Sequence, residues 1–67
     1  MEANAYQTIT DDQILQALNG QMVEIKGDRN YTIKFDGKNF VVEVFSWTTL
    51  AATITSDETN LRLIRFY

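Results

Sequence analysis

The hydrophobic period of this chain changes at Gly20, and no other feature restricts the fold as much. Before Gly20, Ile14, Leu15 and Leu18, with Ala17 alongside, recur at helical spacing. After it, apolar and polar residues alternate, which is the period of a half-buried strand. One helical stretch followed only by strand-like stretches predicts an α+β domain. Its expected form is a short N-terminal helix packed on a four- to five-stranded antiparallel β-meander. The sheet either stays open or curls into a small SH3-like barrel with the helix closing one end.

Both ends of the helix are marked. Thr10 is a good N-cap and Gln13 stands three residues on, the spacing of a capping box. Ile9 and Ile14 have the hydrophobic-staple spacing, and Asp11 and Asp12 occupy the first turn, where exposed N–H groups favour negative charge. Asn19-Gly20 supplies the stop. So short a helix does not survive alone, and its apolar stripe must pack on something.

The first strand runs from Gln21, with Val23 and Ile25 alternating with Met22, Glu24 and Lys26. A turn at 27–30 leads to Tyr31, Ile33 and Phe35, which alternate with Thr32 and Lys34. Asp36-Gly37 follows with alternation on both sides, the strongest hairpin signal in the chain, and predicts a two-residue type I′ turn. That turn would set Phe35 opposite Lys38, Ile33 opposite Phe40 and Tyr31 opposite Val42, with Val44 beyond on the same face. The other face then carries Thr32, Lys34, Asn39, Val41, Glu43 and Phe45. Residues 46–49 read as a bend or strand crossing, 50–55 as a strand rich in β-branched residues, 56–60 as a polar turn and 61–67 as a last strand, apolar on both faces.

At 67 residues the chain forms one domain, 1–67, with residues 1–8 read as a flexible arm. Surface scaling predicts that about 60% of the unfolded chain's area is buried, a gain on the order of 100 kcal/mol. Ordering the chain costs a similar amount, at about 1.5 kcal/mol per residue. The chain holds no cysteine and no histidine, so neither a disulfide nor a histidine-bound metal adds to that thin margin. Association is the remaining route to extra burial. Residues 1–7 contain Glu2, no basic residue and no apolar stretch behind them, which argues against a leader or a membrane span. Together with the absence of cysteine, this makes the cytoplasm the expected location.

No residue pattern carries catalysis. Ser46 and Ser56 have no histidine to activate them. Asp11-Asp12 is explained by the helix start and Asp57-Glu58 by a solvated turn, while Glu24 and Glu43 read as exposed cross-strand charges. Asp28, Asn30 and Asp36 lack calcium-loop spacing, and no phosphate-cradling glycine loop is present. No enzyme activity, cofactor, metal or small-molecule substrate is therefore expected. Lys26, Arg29, Lys34 and Lys38, with Tyr31 between them, raise an alternative: a small β-sheet nucleic-acid-binding module. The net charge of −3 and the interrupting Asp28, Asp36 and Glu43 weigh against it. A third reading is an acidic inhibitor of a nucleic-acid-handling enzyme. The preferred expectation is a non-enzymatic protein–protein interaction module that binds and regulates a protein partner or pairs as a homodimer. The surface expected to serve is Val41, Phe45, Trp47, Ile64, Phe66 and Tyr67, with strand 61–67 as a possible seam between copies.

Overall fold

A computed structural model describes residues 9–66, and its first element is the helix that the capping signals mark. Helix α1 spans Asp11–Leu18. The Gln13 N–H donates to Thr10 Oγ1 at 3.2 Å, and the Thr10 N–H donates to Gln13 Oε1 at 2.9 Å, closing the capping box. Ile9 and Ile14 are both buried, as a staple requires. At the other end the Gly20 N–H donates to the Ala17 carbonyl and the Gln21 N–H to the Gln16 carbonyl, both at 3.0 Å. This is a Schellman stop, and Gly20 supplies the left-handed residue it needs, at φ +89°. The buried stripe is narrower than expected. Ile14 and Ala17 face the sheet, while Leu15 and Leu18 are 56% and 41% exposed.

Four strands follow in sequence order, β1 (Val23–Lys26), β2 (Asn30–Phe35), β3 (Phe40–Ser46) and β4 (Thr49–Ser56), and a second helix, α2, spans Glu58–Leu63. The sheet is an antiparallel meander in the order β1-β2-β3-β4. Its two edges do not pair with each other, so it is open rather than a closed barrel. On the inner face Val23, Ile25, Tyr31, Ile33, Phe40, Val42 and Val44 form one core with Ile9, Ile14, Ala17, Leu61 and Phe66. Helix α1 packs on β1 and β2, and α2 lies against β4.

The β2–β3 connection corrects the expected two-residue turn. Phe35 pairs with Phe40, Ile33 with Val42 and Tyr31 with Val44, so four residues, 36–39, form the loop. The Asp36 carboxylate accepts the N–H groups of Asn39 at 2.7 Å and Lys38 at 2.8 Å, which steadies this longer loop. Gly37 is at φ +99°, whereas Asp36 does not enter the left-handed region that a type I′ turn would demand of it. The register shifts by two residues, an even number, so every side chain stays on its expected face.

The expected last strand is the second correction. Asp57 caps α2, its Oδ1 accepting the Asn60 N–H at 2.7 Å, and Leu61 turns into the core as the one buried residue of α2. Arg62 bonds to Asp11 at 2.8 Å and to Glu58 at 3.4 Å, tying α2 to the start of α1. The strand reading of 61–63 and the polar turn over 58–60 are thereby replaced by helix. Its place at the edge of the sheet falls to β4. The reading of residues 1–8 as a flexible arm lies outside the described residues.

Candidate functional site

Outer-face side chains on β1, β2 and β3 are arranged in rows set by the register. Glu24, Thr32, Glu43 and Thr53 form one row across the four strands. Lys26, Asn30, Phe45 and Leu50 form the next. Among the described residues no helix covers this face in the way α1 covers the inner one: Val41, Glu43 and Phe45 are half-buried, and Glu24, Lys26 and Lys34 are exposed. An open groove of about 450 Å³ runs across it, lined by Met22, Glu24, Lys26, Thr32, Phe45 and Trp47 among others.

The corner of this groove is the β3–β4 hairpin. Ser46 pairs with Thr49, leaving Trp47 and Thr48 as a two-residue loop. The chain's two-residue turn is thus here, at a place with no glycine, asparagine or aspartate to announce it. Trp47 takes φ +60°. That left-handed conformation costs an L-residue roughly 1–2 kcal/mol through the crowding of Cβ. Its side chain is also 90% exposed. One row away, Phe45 and Leu50 oppose each other across the strands, with Leu50 48% exposed. A register irregularity between Val44 and Phe45 makes Ala51 the extra residue of a bulge, which turns Leu50 onto the same face as Phe45.

The electrostatics of the face are local. Lys34 Nζ lies 2.9 Å from Glu43 Oε1, and the Thr32 hydroxyl donates to the same oxygen at 3.4 Å. The Lys34 bond, more than any other cause, holds the Glu43 carboxyl below its ordinary value. Glu24 and Glu43 are separated by the whole of β2 and are not a carboxylate pair. The four basic residues of the nucleic-acid reading divide between the two ends of β2. Lys26 and Arg29 stand at its start, and Lys34 and Lys38 near its end. Tyr31, the aromatic residue between them, is 6% exposed, on the inner face, with Phe66 packed edge-on against it at 4.9 Å.

The residues expected to form one surface separate into three groups. Val41, Phe45 and Trp47 share the open side of the sheet. Ile64 ends α2 and packs half-buried against the core on the other side, lining a second open cleft with Ala52 and Ile54. Phe66 is wholly buried, so it is a core residue and offers no surface. Tyr67 lies outside the described residues. Leu50 and Met22 were missed. Met22 lies just before β1, 55% exposed, and lines the groove. Its only signal was alternation with Val23, and that of Leu50 is hidden by the bulge. Ser56 is buried, with its hydroxyl donating to the Asp57 carbonyl at 3.0 Å. Among the described residues, no group of three or more acidic side chains is placed to hold a metal ion. No helix among them is long and apolar enough to cross a membrane. The chain matches no family model, and neither a curated protein nor a solved structure is significantly similar to it.

Proposed function

We propose that this domain is a non-enzymatic protein-interaction module that engages a protein partner through the open face of its sheet, with Trp47 as the anchor. The observation that carries this reading is the double cost borne by one residue. Trp47 is held at φ +60° and its side chain is 90% exposed. The two-residue turn needs the dihedral, but tryptophan is a costly residue to place there and its side chain stands in solvent. A backbone outlier of this kind, kept at an exposed tip, points to use by something outside the chain. A partner that covers the indole gains the burial of a large aromatic surface, and tryptophan is the side chain most often found at the energetic centre of an interface. Phe45, Leu50 and Met22 extend the apolar contact, while Glu24 and Lys26 supply a polar rim.

The test is affinity capture from a cell extract with the wild-type domain and with Trp47→Ser. A protein retained by the wild type and lost with the variant, with nuclease treatment making no difference, is the expected result. Equal capture by both removes Trp47 as anchor. Capture that nuclease abolishes, together with submicromolar binding to single strands that weakens steeply with salt, would transfer the function to Lys26, Arg29, Lys34 and Lys38.

A further inference from the structure

We infer that β4 is a self-pairing seam, along which two copies of this chain join antiparallel about a two-fold axis into one eight-stranded sheet. Strand β4 is an edge of the four-stranded sheet, with β3 as its one neighbouring strand among the described residues. It runs for eight residues, Thr-Leu-Ala-Ala-Thr-Ile-Thr-Ser, with no charge, proline or glycine, and all but Ser56 are exposed. Natural edges are normally blunted by brevity, charge, proline or a covering element, because a bare edge is a row of N–H and C=O groups that another extended chain completes. The other edge follows that rule, since β1 has four residues and carries Glu24 and Lys26. Strand β4 has only the bulge at its hairpin end.

Charge and register favour a second copy of β4 as the occupant. The chain carries a net charge of −3, so two copies repel in general. In a two-fold seam a charged residue on the axis, or one position from it, would meet its own like charge directly or on the diagonal, and like charges opposite each other destabilise a strand pair. Strand β4 is the only one of the four strands with no charged residue, so a seam along it brings no charged side chains together. Antiparallel neighbours point to the same face only if residues of equal parity oppose each other. The register centred on Thr53 satisfies this and uses the regular part of the strand beyond the bulge. Thr53 then meets its symmetry mate. Ile54, 39% exposed on the inner side, meets the small side chain of Ala52 from the other copy. The assembly closes, because it consumes both bare edges and leaves only the short charged β1 edges outside. Both grooves would then lie on one side of the joined sheet, so the dimer would present the interaction face twice.

The seam alone buries less than the roughly 1,600 Å² of a standard interface, so a dissociation constant on the order of 10–100 μM is expected. Sedimentation equilibrium of the wild type up to about 500 μM, a concentration chosen to bracket that range, should show monomer and dimer. Thr53→Lys places two like charges opposite each other and should weaken the dimer at least tenfold, while its circular dichroism stays that of the wild type. Thr53 is exposed, so the lysine has room in the monomer. Trp47→Ser should leave the dimer unchanged, which separates this seam from the anchor on the open face. The chain has no cysteine, so Thr53→Cys reports the register. Under mild oxidation by oxidised glutathione it should cross-link to its mate, and Thr55→Cys should not. A strictly monomeric wild type over this range, or a dimer that Thr53→Lys leaves intact, would overturn the proposal.

Discussion

Replacing Leu61 and Leu63 one at a time by alanine gives the sharpest measure of the C-terminal architecture. Leu61 is wholly buried against the core, whereas Leu63 is 73% exposed. Truncating a buried leucine removes its transfer free energy and leaves a cavity, together about 3–5 kcal/mol. At roughly 0.05–0.15 kcal/mol per residue, the domain has about 3–10 kcal/mol in total, so Leu61→Ala takes away a third of it or more. With a urea dependence of about 1 kcal/mol per molar for so small a chain, the midpoint should fall by about 3 M or folding should be lost. Leu63→Ala removes an exposed side chain from a helix and should stay within about 0.5 kcal/mol of the wild type. Far-ultraviolet circular dichroism is the right readout. The single tryptophan is already 90% exposed when folded and would report little. An alternating strand would place Leu61 and Leu63 on one face and make their losses equal. Equal losses would therefore refute the helical assignment and return the edge of the sheet to residues 61–67.

Two further outcomes test the loops and the charges. Gly37→Val should cost about 1–3 kcal/mol in urea denaturation, all of it from the backbone: φ is +99°, and an added Cβ meets no atom within 4 Å. A loss under about 0.5 kcal/mol would show that the loop readily changes conformation. The Asp36 carboxyl is held below its ordinary value of 3.8, first by the Asn39 N–H and then by that of Lys38, and Lys34 holds Glu43 below 4.5. Depressed carboxyls contribute stability that is complete above these ordinary values and is lost as pH falls through the lower folded ones. The urea midpoint should therefore drop between pH 5 and pH 2, and Asp36→Asn, which keeps an oxygen acceptor but cannot titrate, should flatten that drop. An unchanged acid slope in the variant would show that Asp36 contributes nothing to it.

The legible part of the fold is the part written in local chemistry. Thr10 and Gln13 mark the start of α1 and Gly20 its end because each signal is a hydrogen bond or a dihedral available within a few residues. Face membership in β2 and β3 was equally legible. Parity alone decides it, and a register shift of two leaves parity untouched. The loop length at Asp36-Gly37 was not legible from the dipeptide. A type I′ turn and a four-residue loop both welcome Asp-Gly, and the choice rests on whether Asp36 enters the left-handed region or spends its carboxylate on two N–H groups downstream. In α2 the opposite weakness applies. Asp57 three residues before Asn60, with Glu58 behind it, is a helix-start signal, but six residues are too few for a period of 3.6 to be told from a period of two.

The open face depends on a residue whose position runs against its propensity. A two-residue hairpin normally recruits glycine, asparagine or aspartate for positive φ, and sequence reasoning searches for them. Ser46-Trp47-Thr48-Thr49 has none, so the bend was legible but its conformation was not. The departure can still be weighed physically. Replacing Trp47 by glycine at φ +60° would relieve the left-handed cost of roughly 1–2 kcal/mol. It would expose no core, since the indole covers none. A domain with a thin stability margin thus retains at Trp47 a side chain that its own folding does not need. The same imbalance appears along β4, where eight residues stay uncharged on a chain with nine acidic side chains to place. The left-handed cost at Trp47 is independent of any contact, but in the proposed reading a partner covers the exposed indole and a second copy completes the β4 edge. They do so on separate surfaces, the indole at the hairpin tip and the backbone along the edge, so the two contacts can form at once.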